Sequence, residues 1–213
     1  MNKAMDLKSI VTLDSVVNAY SYMGYTYCTS GDYNLNIFGI RNQDNKDSNN
    51  FNDVIGVTFM VKGTWYLRVY GATTDPGVTS RVTPINSNGC AILIPGQYKG
   101  CYQIGMHQGK YEALTQRKPM NYWRDNNKDQ VLDFASKVYT EIAGTNLHRA
   151  TAIPGVTSKI VDNYSAGCQV IAAYNDWTEF MGFVHKSVNL YGNAFTYTLF
   201  TQNNFLCKNK SLS

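Results

Sequence analysis

The chain has 213 residues and a formal net charge of +4, long enough for one large domain with a full hydrophobic core. Charged residues make up only 16% of it and aromatic residues 13%, which excludes a disordered chain, and its composition also excludes a coiled coil. The 19 basic residues form no concentrated stripe, so we expect no nucleic-acid partner. Abundant Tyr, Thr, Val, Ile and Gly favour β-structure with many turns.

The predicted elements, in chain order, form a mainly β domain with a few short helices. A helix is predicted over residues 14–23, with Asp14 as its cap, inside an N-terminal helical extension over residues 1–30. Strands are predicted at residues 33–40, 53–61, 64–70, 90–94, 101–106, 111–116, 121–124 and 195–201. A second helix is predicted over residues 175–186 because large apolar residues recur there at helical spacing.

The whole chain, residues 1–213, is therefore expected to be a single domain. Its β-rich core spans residues 31–201, and a short tail follows over residues 202–213. Residues 73–88, with two prolines, are expected to form a long irregular loop. No apolar stretch is long enough for a membrane span, and no signal peptide is recognisable, so we expect synthesis in a cytoplasm.

The five cysteines are an odd number, and no two have the C-x-x-C spacing. Both facts argue against a disulfide framework and against a four-thiolate zinc site. Four of the cysteines are expected to be reduced and not required for activity: Cys28, Cys90, Cys101 and Cys207. Cys168 differs because of its neighbours.

Residues 144–171, GTNLHRATAIPGVTSKIVDNYSAGCQVI, contain the groups best suited to covalent chemistry. A catalytic thiol needs a nearby base and backbone N–H groups that face a developing oxyanion. Gly167 permits a sharp turn that exposes such groups. We predict Cys168 as the nucleophile, His148 as its general base, and N–H groups near Gly167 and Cys168 as the oxyanion hole. A lone Cys is more often a buried structural thiol, so the prediction depends on the pair.

This stretch resembles the signature of L,D-transpeptidase (YkuD-type) catalytic domains, a His followed after a gap by Ser/Thr-His-Gly-Cys. Residues 165–168 read Ser-Ala-Gly-Cys and begin after a gap of 16 residues from His148. Two positions depart from the signature. Ala166 replaces its second His, and Gln169 stands where an Arg or Asn commonly follows the Cys.

Residues 33–201 also resemble a bacteriophage-borne, cell-wall-hydrolase-like branch of this family, in phrases such as YNLNIFGIRN, ILIPGQY and GMHQGKYEALTQ. The resemblance implies a single-domain L,D-transpeptidase-like β-sandwich that acts on bacterial peptidoglycan. It also implies other virion proteins as candidate partners. Such a protein would be made in the host cytoplasm and act on the cell wall or be carried in the virion.

Three further residues are candidates for substrate binding. Ser165 belongs to the signature, and His107 lies in a Gly-flanked turn that could line the cleft. Arg149 follows the predicted base and could bind a substrate carboxylate. A plain surface turn for His107 and a solvated or salt-bridged Arg149 are the structural alternatives.

Oxygen-bearing side chains occupy positions 1, 3, 5 and 9 of a candidate calcium loop: Asp125, Asn127, Asp129 and Asp133. Gln130 replaces the Gly of an EF-hand, so a polar turn is the alternative. A zinc site built from His107, His148 and Cys168 lacks a recognised spacing. We expect no required cofactor, with structural calcium as the open option.

Two functions remain open. One is a cysteine-dependent peptidoglycan stem-peptide hydrolase or transpeptidase, a phage endolysin or virion-associated lysin that forms a thioester acyl-enzyme. The other is a non-catalytic phage structural or cell-wall-binding protein that retains the fold, which Ala166 and Gln169 favour. For the enzyme we expect hydrolysis, because a virus gains from breaking a wall. A glycosidase would need two carboxylates across a cleft, and no such pair stands out beyond residues 125–133.

Overall fold

The structure, a computed structural model, describes residues 6–43, 49–129, 131–134 and 137–206. Within these ranges the strands are β1 (Asn36–Arg41), β2 (Asp53–Val61), β3 (Thr64–Thr73), β4 (Cys90–Leu93), β5 (Gly96–His107), β6 (Tyr111–Gln116), β7 (Met120–Asp125), β8 (Tyr139–Glu141), β9 (Leu147–Arg149), β10 (Gln169–Ile171) and β11 (Phe195–Thr201). The helices there are α1 (Leu7–Ile10), α2 (Leu13–Tyr22), α3 (Val78–Val82), α4 (Tyr174–Tyr191) and α5 (Gln202–Leu206).

Eight strands close into a barrel in the order β1-β11-β5-β6-β9-β10-β3-β2, and β4, β7 and β8 form a separate sheet. The mainly β class with a few short helices is confirmed, whereas the expected β-sandwich is corrected to this barrel. The reason is a long-range pairing. β11 lies parallel to β1 on one side and antiparallel to β5 on the other, which joins the two ends of the barrel sheet.

Both faces of β1 and β2 are covered, which is why these strands are apolar along most of their length. Ile55, Val57 and Phe59 pack in a core that also includes the buried face of α4 and residues of β4 and β7. Val54 of β2 and Phe38 of the neighbouring β1 pack instead in a second core. A further set from α1, α2, β11 and α5 completes that second core: Leu7, Val16, Tyr20, Phe200 and Phe205.

The N-terminal helices follow local signals. Thr12 Oγ1 accepts a hydrogen bond from the Ser15 N–H, and Ser15 Oγ accepts one from the Thr12 N–H, a reciprocal cap at the start of α2. The helix is therefore capped by Thr12 rather than by the predicted Asp14, and it begins at Leu13. No helix in the described part of the chain is long and apolar enough to cross a membrane.

Two segments expected to be irregular contain short helices. The segment 73–88 includes α3, whose Arg81 is almost fully buried. The segment 202–213 begins with α5, which packs through Phe205. Residues 207–213 lie outside the described residues, and so does Cys207, which was predicted to be reduced. α4 is longer than predicted at its C-terminal end and ends before Gly192.

Candidate functional site

The predicted nucleophile and base lie on one face of two paired strands. β9 and β10 run parallel, with Val170 opposite His148. Gln169 N–H donates to the Asn146 carbonyl at 2.8 Å, so the pairing continues beyond the strand ends and sets Cys168 beside Asn146. Side chains alternate along a strand, so Cys168, Val170 and His148 project from the same face.

Backbone geometry sets the tautomer of His148. Its Nδ1 lies 2.8 Å from the Arg149 carbonyl oxygen, which only accepts, so Nδ1 carries the proton. The Tyr111 hydroxyl lies 3.2 Å from the same nitrogen and donates to the same carbonyl at 3.3 Å. His148 Nε2 is buried, with no hydrogen-bond partner among residues that the structure describes. The imidazole therefore presents an unprotonated Nε2, the state that a general base requires.

His107 belongs to this site as the stacking partner of His148. The two ring centroids are 4.1 Å apart. Asn146 Oδ1 accepts from the Gln116 N–H at 2.9 Å, which orients the amide so that its Nδ2 donates to His107 Nδ1, also at 2.9 Å. Burial lowers the pKa of both histidines, that of His148 to about 3, with His107 as the second cause for His148. The stacked pair is therefore uncharged at neutral pH.

The Cys168 thiol is half-buried and lies close to the backbone of β9. Asn146 N–H donates to Cys168 Sγ at 3.4 Å. Burial raises the pKa of the thiol to about 11, and the Asn146 N–H opposes that rise. The resting site thus holds a neutral thiol and a neutral imidazole rather than a thiolate–imidazolium pair.

The turn before Cys168 is built around Ser165, which is fully buried. Its Oγ donates to the Cys168 carbonyl at 2.8 Å and accepts from the Gly167 N–H at 3.1 Å. In this structure the Ser165 hydroxyl is bound within the turn, and the Gly167 N–H is bound to that hydroxyl. The Cys168 N–H, in contrast, has no hydrogen-bond partner within the described ranges.

Gly167 is required by shape. Its φ is +123°, and a Cβ added there would lie 2.3 Å from the Ala91 carbonyl oxygen. L-residues with side chains rarely adopt this φ, and the neighbouring atom is backbone that cannot rotate away. The glycine therefore lets β4 approach the Cys168 turn closely.

Arg149 does not share the face of Cys168, because it follows His148 in the strand. Its guanidinium carbon lies 4.2 Å from the Tyr111 ring centroid and 5.8 Å from that of Tyr174 at the start of α4. Nη1 donates to the Thr151 carbonyl at 2.9 Å. Arg149 therefore lies in a neighbouring pocket, which Tyr111 joins to His148.

Sequence reasoning missed Asn146 and Tyr111, and it assigned no role to Gln169. Asn146 contacts both Cys168 and His107, and Tyr111 contacts the base and its carbonyl partner. Gln169 is buried, with its Oε1 accepting from the Tyr197 hydroxyl at 2.9 Å. These contacts arise from strand register, which leaves no local sequence signal.

Part of the candidate calcium loop is held by its own hydrogen bonds, whereas neither carboxylate oxygen of Asp125 has a hydrogen-bond partner within the described ranges. Asn127 Nδ2 donates to Asp129 Oδ2 at 3.0 Å, as in a polar turn. Asp125 is buried, which raises its pKa to about 6, with Asp133 as the second cause and Arg81 opposing them. No group of three or more His, Cys, Asp or Glu side chains in the described ranges is arranged to hold a metal ion.

The four cysteines that the structure describes, Cys28, Cys90, Cys101 and Cys168, are free. Burial raises the pKa of each. Cys168 immediately precedes β10, which pairs with the strand that carries His148. Comparison with known proteins finds no matching family model, no similar curated protein and no similar solved structure.

Proposed function

We propose that this chain is a cysteine-dependent hydrolase of peptidoglycan stem peptides, of the L,D-transpeptidase-like kind found in bacteriophage lysins. One observation carries the proposal. A thiol and an imidazole lie on the same face of two paired strands, and the imidazole nitrogen that is free of the backbone is unprotonated. The spacing of residues 148 and 165–168, which resembles the family signature, supports the choice of substrate.

The neutral resting pair suits general-base catalysis. His148 Nε2 makes no hydrogen bond to Cys168 Sγ in this structure, so the two side chains must approach each other when substrate binds. As Cys168 Sγ then attacks the peptide carbonyl carbon, its proton passes to His148 Nε2, and the Cys168 N–H is the candidate donor to the oxyanion. Imidazolium then gives the proton to the leaving amine as the C–N bond breaks, which leaves a thioester. His148 next takes a proton from water, which attacks the thioester, and the proton returns to sulfur as the acid product leaves.

The low pKa of His148 bears on this sequence of steps. Burial disfavours imidazolium at this position, so His148 gives up a proton readily but takes the proton of Cys168 only at a large free-energy cost. Arg149 adds to that effect because its positive charge also lowers the His148 pKa. The low pKa of His148 thus favours proton transfer to the leaving amine and opposes the earlier transfer from the thiol.

A non-catalytic cell-wall-binding or virion protein is the second candidate. The Cys168 pKa of about 11 favours it, because almost no thiolate exists at neutral pH. Gln169 favours it too, since the position that follows the nucleophile is used for packing. In this case the protein would bind sacculi without changing them.

Incubation of purified protein with isolated sacculi, followed by mass spectrometry of the soluble fraction, tests the proposal. We expect released peptides, no release of reducing sugars, and complete loss of product in Cys168→Ala. Cys168→Ser should leave little activity, because a hydroxyl beside the same histidine is a much weaker nucleophile. Cys28→Ala, which removes a half-buried thiol elsewhere, is the matched control and should retain full activity.

Three results would decide against this mechanism. Peptide release that survives Cys168→Ala would exclude the thioester, and release of reducing sugars would indicate a glycosidase. Binding to sacculi without any released product would favour the second candidate.

A further inference from the structure

A pocket of about 410 Å³ lies beside the candidate active site, between the end of β9, the start of β6 and the first turns of α4. Arg149 and Glu112 are its charged residues, and Tyr174, Trp177 and Met181 are among its apolar walls. Tyr111 lines the pocket as well. Its hydroxyl contacts His148 Nδ1, so the pocket and the candidate dyad share a wall.

Arg149 is the cation of this pocket that lacks an anionic partner. None of the ion pairs within the described ranges involves it. The carboxylate of Glu112 is instead paired with His185 Nε2 at 3.2 Å, near the solvent. A half-buried guanidinium with no carboxylate is a site at which an incoming anion can replace water without displacing a protein group.

Contacts hold the Arg149 guanidinium in place before any ligand arrives. It lies over the Tyr111 ring, near the Tyr174 ring, and one of its N–H groups is bound to the Thr151 carbonyl. Such stacking restricts the rotamers of a long side chain, so less entropy is lost when the remaining N–H groups bind a ligand. The planar fork of an arginine also matches a carboxylate with two parallel hydrogen bonds.

The start of α4 supplies the apolar side of this pocket. Tyr174 is the first residue of the 18-residue helix, its N–H donates to the Val156 carbonyl, and Asp176 places a carboxylate in the first turn. Trp177 and Met181, one and two turns along, supply an apolar surface for the carbon skeleton of a ligand. The combination suits a carboxylate attached to a small apolar unit, such as the alanine end of a peptide.

We propose that this pocket binds the free carboxylate of a peptide through Arg149. That the ligand is a peptide rests on the proposed function, whereas the presence of a carboxylate subsite rests on the pocket alone. Arg149 is then a specificity-determining residue that contacts the ligand without taking part in the chemistry.

Calorimetric titration of the Cys168→Ala protein with N-acetyl-alanyl-alanine and with its C-terminal amide tests the subsite. We expect the acid to bind at least tenfold more tightly than the amide. Arg149→Gln should abolish that preference, and Arg149→Lys should restore part of it. Arg68→Gln is the matched control, because Arg68 is a half-exposed arginine paired with Glu179 away from the pocket, and it should bind like the parent.

Equal affinity for acid and amide, or a preference that survives Arg149→Gln, would overturn the subsite. Failure of both compounds to bind would overturn it too. Each of these results is independent of the sacculus digestion, which alone decides whether Cys168 and His148 form a hydrolase. If the protein released peptides from sacculi but showed no preference for the acid in the titration, the proposed hydrolase would stand and the carboxylate subsite would be rejected.

Discussion

Acidification should destabilise this protein through His148, and the size of the effect follows from its burial. Burial lowers the pKa of native His148 to about 3, whereas an unfolded histidine titrates near 6.5. Between those values the unfolded chain binds a proton that the native chain does not. The unfolding free energy contributed by His148 is therefore complete above pH 6.5 and falls by about 1.4 kcal/mol for each pH unit below it.

At pH 4.5 the expected loss from His148 is about 3 kcal/mol relative to pH 7.5. Other groups titrate over the same range, so the effect is isolated by comparison with His148→Gln, whose amide can still donate to the Arg149 carbonyl. Urea unfolding of both proteins at the two pH values should show the wild type losing about 3 kcal/mol more than the variant. His185→Gln, which removes a half-exposed imidazole, is the control and should follow the wild type.

Parallel losses for the wild type and His148→Gln, within about 0.5 kcal/mol, would refute this reasoning. They would mean that native His148 is solvated or already protonated. Its Nε2 would then not be the unprotonated base on which the proposed mechanism depends.

Two further predictions concern the Cys168 turn. Gly167→Ala should destabilise the fold by about 3 kcal/mol or more because of its φ of +123° and the contact with the Ala91 carbonyl. Gly155→Ala, with φ +77° and no atom within 4 Å of the added Cβ, should cost about 1 kcal/mol, and equal costs in urea unfolding would contradict the close approach. The iodoacetamide reaction rate of Cys168, taken as the difference between the wild type and Cys168→Ser, should rise steadily with pH towards about 11, and a plateau at or below pH 8 would contradict the buried thiol.

Local patterns in the sequence predicted the elements that have a local signal of their own. The β2–β3 hairpin and β11 follow from runs of strand-forming residues, the buried face of α4 follows from helical spacing, and each is present. Barrel closure did not follow, since it depends on pairing β1 with β11 across most of the chain. Nothing in either strand's own residues specifies a parallel partner at that distance.

The candidate site divides in the same way. The spacing of His148 and Cys168 was visible in the sequence, and strand pairing sets them on one face. The tautomer of His148 was not visible in the sequence, because the group that fixes this tautomer is a backbone carbonyl. The hydrogen bonds of Ser165 within the turn could not be predicted either, because a motif residue does not reveal which groups its hydroxyl contacts.

The position of β11 has a consequence for how the protein is made. Until residues 195–201 are available, β1 lacks one neighbour and β5 lacks another, so a growing chain exposes two open strand edges. Long-range pairing of this kind is formed late, because the entropy of closing a long loop must be lost before the contacts form. A ribosome-bound chain should therefore depend on chaperones until β11 emerges, and a chain that stops before β11 should aggregate rather than persist as a partly active fragment.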